Sequence, residues 1–283
     1  MPDGPPDSVA VLLFRAASRL GAEGRKEAAL LFEHTLARSR AWLLAHGEDI
    51  VDRQQCERFA ECVSRRERGE PIAQIVGRKG FWTFDLSVNA DVLIPRPETE
   101  RLVECALAVL SGAMPLRVAD LGTGSGAIAL AIARERPLAE LVAVDASAAA
   151  LAVARSNARA LGLESRVRFE QGDWFAPLAG MRFHAVLSNP PYIAENDRHL
   201  LEGDLRFEPR VALASGPDGL DAIRAIARAA PHHLLPGGWL LFEHGWDQGE
   251  SVRLVLAASG LIEPETYQDL EGRDRVSGAW LPG

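Results

Sequence analysis

Beyond residue 100 the chain alternates short apolar runs with helical patterns, and this alternation leaves few folds open. Leu116 to Asp120, Leu141 to Asp145, Arg166 to Glu170, His184 to Ser188 and Gly238 to Glu243 read as strands, because near-continuous aliphatic runs suit strands buried on both faces. Helical patterns between most of them supply crossover connections, so the expected architecture is a doubly wound, mostly parallel α/β sheet. Two further strands are expected near Ile262 to Tyr267 and Val276 to Leu281, giving the sheet an antiparallel edge. With 283 residues, 47% of them hydrophobic, the chain can bury such a core without disulfides or metal.

Upstream the pattern differs. From Ser8 to about Gly69 the apolar residues recur with helical period and no convincing strand, with Gly21 and Gly47 as punctuation. Asp52 is placed to cap a helix on which Cys56, Phe59, Ala60 and Val63 fall at i, i+3, i+4 and i+7. This reads as a small bundle of four helices. Gln74-Ile75-Val76, then Gly77 to Gly80, then Phe81-Trp82-Thr83-Phe84 reads as a hairpin leading into Val92-Leu93-Ile94. Pro95-Arg96-Pro97-Glu98-Thr99-Glu100 closes it, with acidic residues suited to the first turn of the next helix. Two roles stay open for that segment, a structural cap and linker or the rim of an active site. The expected division is a helical domain over 1–73, a hairpin linker over 74–97 and a catalytic domain over 98–283.

Charge and cysteine content narrow the function classes. The formal charge of −8 splits into about −1 for residues 1–75 and about −7 for the rest, which argues against strong non-specific attachment to nucleic acid. Lysine occurs only as Lys26 and Lys79, a bias read as codon usage rather than function. Cys56, Cys62 and Cys105 show no C-x-x-C spacing and read as ordinary buried thiols of a reducing compartment. Asp3 and Asp7 stand where a secretory signal would be basic, and no apolar run approaches the roughly 18 residues of a membrane span, so a cytoplasmic protein with no membrane partner is expected.

Three successive strand ends carry candidate ligand-binding residues. Val118-Ala119-Asp120 runs into Leu121-Gly122-Thr123-Gly124-Ser125-Gly126 and then a helix, a loop whose glycines let backbone N–H groups approach a ligand. Gly122-x-Gly124-x-x-Ala127 also fits a dinucleotide fingerprint, so the loop alone does not name the ligand. Asp145 ends the next strand about 20 residues on, where a carboxylate accepts ribose hydroxyls. After the third strand, Asp173 is placed to accept from an adenine amino group and Trp174 to cover the ring. Asp120 either meets a cofactor ammonium group or caps the loop's own backbone.

The fourth strand stops at Asn189-Pro190-Pro191-Tyr192. The two prolines fix the backbone, so the Asn189 side-chain oxygen and the Pro190 carbonyl form a rigid pair of acceptors for a planar NH2, with Tyr192 offering an aromatic face. A conjugated nitrogen is a poor nucleophile, and accepting from both its N–H bonds raises its electron density. Methyl transfer from a sulfonium then needs in-line placement more than a strong base, with no metal and no covalent enzyme intermediate expected. His199, His244 and the pair His232-His233 sit at no motif spacing and are expected to be surface or loop residues.

Together these residues resemble the bacterial peptide chain release factor glutamine N5-methyltransferases. The resemblance rests on Glu70 to Ala73, Val92 to Glu100, Asp120 to Leu130, Asn189 to Tyr192, and Phe207-Glu208-Pro209-Arg210 leading to Ser215-Gly216-Pro217-Asp218-Gly219-Leu220. It implies a Rossmann-like, seven-stranded class I methyltransferase domain behind a helical domain that grips a protein substrate. The implied reaction uses S-adenosylmethionine to methylate the side-chain nitrogen of the glutamine in a Gly-Gly-Gln loop of class I release factors, yielding S-adenosylhomocysteine. Carried over by position, Gly122, Thr123, Gly124, Ser125, Gly126, Asp145, Trp174 and Asn189 would hold the cofactor, and Asn189, Pro190, Pro191 and Tyr192 the substrate. A monomer with a release-factor partner and no stable nucleic-acid binding is expected. The alternatives are a DNA adenine N6-methyltransferase, which needs the same chemistry on a flipped base, a nicotinamide-dependent oxidoreductase and a non-catalytic binding module.

Overall fold

The computed structural model describes residues 7–110 and 115–283, so Asp3 lies outside the described residues. The chain divides into two compact units, residues 1–77 and 78–283.

Among the described residues the first unit holds five helices: α1 (Val9–Leu20), α2 (Gly24–Leu36), α3 (Arg40–Ala45), α4 (Arg53–Glu67) and the short α5 (Ile72–Val76). Asp52 caps α4, its Oδ1 accepting the Gln55 N–H at 2.9 Å. The buried stripe of α4 is narrower than expected, since Phe59 and Val63 are buried but Ala60 is exposed. Phe59 meets Phe32 of α2 edge-on, with ring centroids 4.5 Å apart. Arg66 pairs with Glu27 at 2.8 Å across the same two helices.

Gln74-Ile75-Val76 is not part of a hairpin. It lies in α5, with Ile75 buried in the helical core. The hairpin comes later, as β1 (Arg78–Phe81) and β2 (Phe84–Ser87), and turns at Trp82-Thr83. Val92 to Ile94 belongs to no strand.

The second unit continues with α6 (Thr99–Val109), β3 (Arg117–Leu121), α7 (Ala127–Glu135), β4 (Glu140–Asp145), α8 (Ala148–Ala160), β5 (Val167–Gln171) and β6 (Phe183–Ser188), followed by α9 (Asp221–His233), β7 (Leu234–Glu243), α10 (Gly249–Ala258), β8 (Ile262–Gln268) and β9 (Asp274–Trp280). The main sheet has seven strands in the order β5-β4-β3-β6-β7-β9-β8. β3 to β7 run parallel and β9 lies antiparallel between β7 and β8, which is the expected sheet with its antiparallel edge.

Side-chain alternation puts two cores on the two faces of this sheet. Val118, Leu141, Ala143 and Leu187 face one core with Leu102 and Val103 of α6 and the alanine-rich α7. Ala119, Val142, Val144 and Val186 face the other with Ile223 and Ile226 of α9 and Val252 and Leu256 of α10. β3 has β4 on one side and β6 on the other, so strand order reverses there and the loops after β3 and β6 part to form a crevice. Every candidate site residue after Asp120 follows one of these strand ends.

Candidate active site

A cleft of about 310 Å³ opens at this crevice. Its wall includes Gly122 and Gly124 from the loop after β3, Asp145 at the end of β4, Asp173 and Trp174 after β5, and Asn189 and Pro191 after β6. Thr123, Ser125, Gly126, Pro190 and Tyr192 are not among its lining residues.

The loop is held from behind by buried polar residues. Asp120 is fully buried, with Oδ2 accepting from the Thr123 hydroxyl at 2.6 Å and from the Ala129 N–H at 3.2 Å. It therefore caps the loop and α7, the second of its two expected roles, and burial pushes its pKa up to about 7. Asn157 of α8, also buried, donates to the Ser125 carbonyl at 2.9 Å and accepts from the Ser87 N–H at 2.8 Å, tying the loop to the hairpin. Asp145 Oδ2 accepts from the Gly124 N–H and Oδ1 from the Ser147 N–H, both at 2.9 Å. Each of those oxygens keeps a further lone pair for a hydroxyl. Trp174 adopts a left-handed φ of 46°, and a Cβ added at Gly122 would stand 3.4 Å from its ring. Glycine thus keeps open the floor beneath the indole.

Asn189 has a divided amide. Its Nδ2 donates to the Thr99 hydroxyl at 3.2 Å, whereas its Oδ1 is buried with no hydrogen-bond partner among the described residues. An orphaned buried acceptor in a cleft wall is costly unless a ligand satisfies it. Tyr192 is half-buried: its hydroxyl donates to Glu243 Oε1 at 3.2 Å and its ring packs against the second core.

Several residues here were given no site role from the sequence. Asp91, Val92 and Leu93 line the cleft together with Pro209, Val211 and Ala212. The two segments are clasped by Glu208, which accepts from the Ile94 N–H at 2.9 Å and pairs with Arg96, while burial raises its pKa. The segment from Pro95 to Glu100 adds no residue to the cleft wall, but its Arg96 holds Glu208 and its Thr99 meets Asn189. Glu100 stands in the first turn of α6, as expected, and also accepts from the Trp82 N–H at 2.7 Å. Thr99 and Glu243 are also buried beside the site.

The expected histidine positions need one correction. His244 is fully buried, bonded to the Ser277 hydroxyl and the Gly245 carbonyl, both at 2.8 Å, and desolvation lowers its pKa. His199 is exposed against Asp197, and His233 stacks on Phe175. Of the three thiols only Cys105 is buried; Cys56 and Cys62 are half-exposed.

A doubly wound sheet with a glycine loop, a strand-end aspartate and an Asn-Pro-Pro-Tyr turn around one crevice defines a methyltransferase. Comparison with known proteins agrees. Residues 101–203 match the Methyltransferase small domain family and residues 12–77 the PrmC N-terminal domain family. A release factor glutamine methyltransferase of Xylella fastidiosa is 54% identical over 92% of this chain and 94% of its own length. That of Escherichia coli is 45% identical over 89% and 91%. Among solved structures, a methyltransferase from Pyrococcus furiosus aligns with 79% of this chain and all of its own at a TM-score of 0.56 and 15% identity. The chain belongs to the release factor glutamine methyltransferase family.

Proposed function

We propose that the protein transfers a methyl group from S-adenosylmethionine to the side-chain nitrogen of the glutamine in the Gly-Gly-Gln segment of class I release factors. The observation that carries this reading is the unpartnered Oδ1 of Asn189 in the cleft wall. The cleft also suits the cofactor. Its charged wall residues are Asp91, Asp145 and Asp173, with no Lys, Arg or His among the described residues, which favours a ligand carrying sulfonium and ammonium charges over a pyrophosphate.

S-adenosylmethionine, when bound, supplies an electrophilic methyl carbon. Gly122 and Gly124 would let the backbone approach it, Asp145 would accept from the ribose hydroxyls, and Trp174 would cover the adenine, with Asp173 beside its amino group. Asn189 Oδ1 would accept one N–H of the substrate amide and the Pro190 carbonyl the other, fixing the nitrogen and raising its electron density. Pro190 and Pro191 would keep these acceptors rigid through the reaction. The domain over 1–73 would grip the release factor, with 74–97 as linker and 98–283 as the catalytic part. We take the protein as a cytoplasmic monomer without stable nucleic-acid binding; no helix among the described residues is long and apolar enough to cross a membrane.

Mass mapping of the methyl group on purified release factor incubated with S-adenosylmethionine should place it on that glutamine. Label on DNA adenine with the release factor unmodified would overturn the reading. Asp145→Ala should raise the cofactor dissociation constant about 10- to 100-fold, since hydrogen bonds to a charged group contribute about 1.5–3 kcal/mol. An unchanged constant in calorimetry would remove Asp145 from the ribose role.

A further inference from the structure

Ser188 of β6 pairs in register with Phe242 of β7, so Asn189, just beyond β6, neighbours Glu243, the last residue of β7, which pairs with Val276 of β9 on its other side. Glu243 is 1% exposed, and a carboxylate so deeply buried is expensive unless its position is used. The Tyr192 hydroxyl donates to its Oε1 at 3.2 Å, and Oε2 has no partner in hydrogen-bonding geometry. Desolvation raises the Glu243 pKa to about 6, against the Arg275 charge and the Tyr192 hydroxyl. Thr99 lies 4% exposed at the start of α6, and its hydroxyl oxygen accepts from Asn189 Nδ2.

A threonine hydroxyl has one proton and two lone pairs. Here its oxygen accepts from Asn189 Nδ2, which leaves the amide's Oδ1 without a partner. The opposite orientation would put Oδ1 against Thr99 and turn the NH2 toward the substrate's own N–H donors. That arrangement repels an amide NH2.

We propose that Thr99 and Glu243 are positioning residues, which fix the Asn189 amide with Oδ1 free for the substrate nitrogen and hold Tyr192 in place behind it. The inference rests on the glutamine-methylation reading for its substrate but not for its geometry. Neither side chain is needed to touch cofactor or substrate.

The test compares Thr99→Val, Thr99→Ser and Glu243→Gln with the wild-type protein. Thr99→Val, which keeps shape but not the hydroxyl, should lower kcat about 10- to 100-fold through misplaced acceptor geometry, with cofactor affinity within twofold of wild type. Thr99→Ser should restore most of that loss. Glu243→Gln, in which one acceptor oxygen becomes a donor, should also lower kcat more than it raises KM. In cofactor-free protein, the side-chain amide NMR signals of Asn189 should shift in Thr99→Val and return in Thr99→Ser. A Thr99→Val enzyme with wild-type kcat, or Asn189 signals that do not move, would overturn the positioning role; so would a Thr99→Ser enzyme as impaired as Thr99→Val, because packing would then be the cause. If wild-type protein leaves release factor unmethylated, the substrate reading fails, while the cofactor-free spectra still decide the geometry.

Discussion

Asn189→Ala is expected to lower turnover about 10²- to 10³-fold, the scale seen when one preorganised hydrogen-bonding group is removed from the locus of developing charge. The expectation follows from the division of its amide. Nδ2 is already committed to Thr99, so only Oδ1 remains, and it is buried with no partner among the described residues. A substrate N–H would satisfy it, and alanine would take that acceptor away from the N–H. Cofactor affinity should change much less, because Gly122, Gly124, Asp145 and Trp174 line the cleft independently of Asn189. Single-turnover kinetics with cofactor binding measured in parallel checks both halves. Near-normal turnover would remove Asn189 from the chemistry, and an equal collapse of cofactor binding would make it a cofactor ligand first.

The strands were legible because each is a run of aliphatic residues that only a doubly covered sheet can bury, and their ends located the cofactor loop, Asp145, Trp174 and Asn189. Short segments were not. Gln74-Ile75-Val76 has β-branched residues and suits a strand on propensity, yet Ile75 finds its core among helices, a tertiary effect that three residues cannot announce. Val92 to Ile94 is apolar enough for a strand, but its Ile94 N–H is satisfied by the carboxylate of Glu208, more than a hundred residues away. Polar residues whose partners are brought by topology were hidden for the same reason. His244 looks like a loop histidine until β9 supplies Ser277, and Glu243 looks like a strand-end acid until the Tyr192 hydroxyl donates to it.

The largest stability effect should come from Gly219→Ala, a residue distant in sequence from the Asn-Pro-Pro-Tyr turn but pressed against it. Gly219 has φ +77°, and a Cβ there would lie 2.2 Å from the Tyr192 carbonyl oxygen and 2.9 Å from its carbon. The left-handed backbone alone costs a non-glycine residue about 1–2 kcal/mol. The clash adds about 1–3 kcal/mol of overpacking, because Pro190 and Pro191 leave the turn little freedom to retreat. The same Cβ would crowd the Gln248 amide, 2.9 Å away, which donates to the Tyr192 carbonyl at 3.0 Å. Gly219→Ala should therefore destabilise the protein by about 3 kcal/mol in urea unfolding and lower kcat by displacing the turn that carries Asn189. Gly162→Ala separates the two contributions: it has φ +69° but nothing within 4 Å, so it should show only the backbone cost and keep full turnover. Equal losses in the two variants would mean that contact with Tyr192 contributes nothing, and that the Ser215 to Leu220 segment does not set the position of the turn.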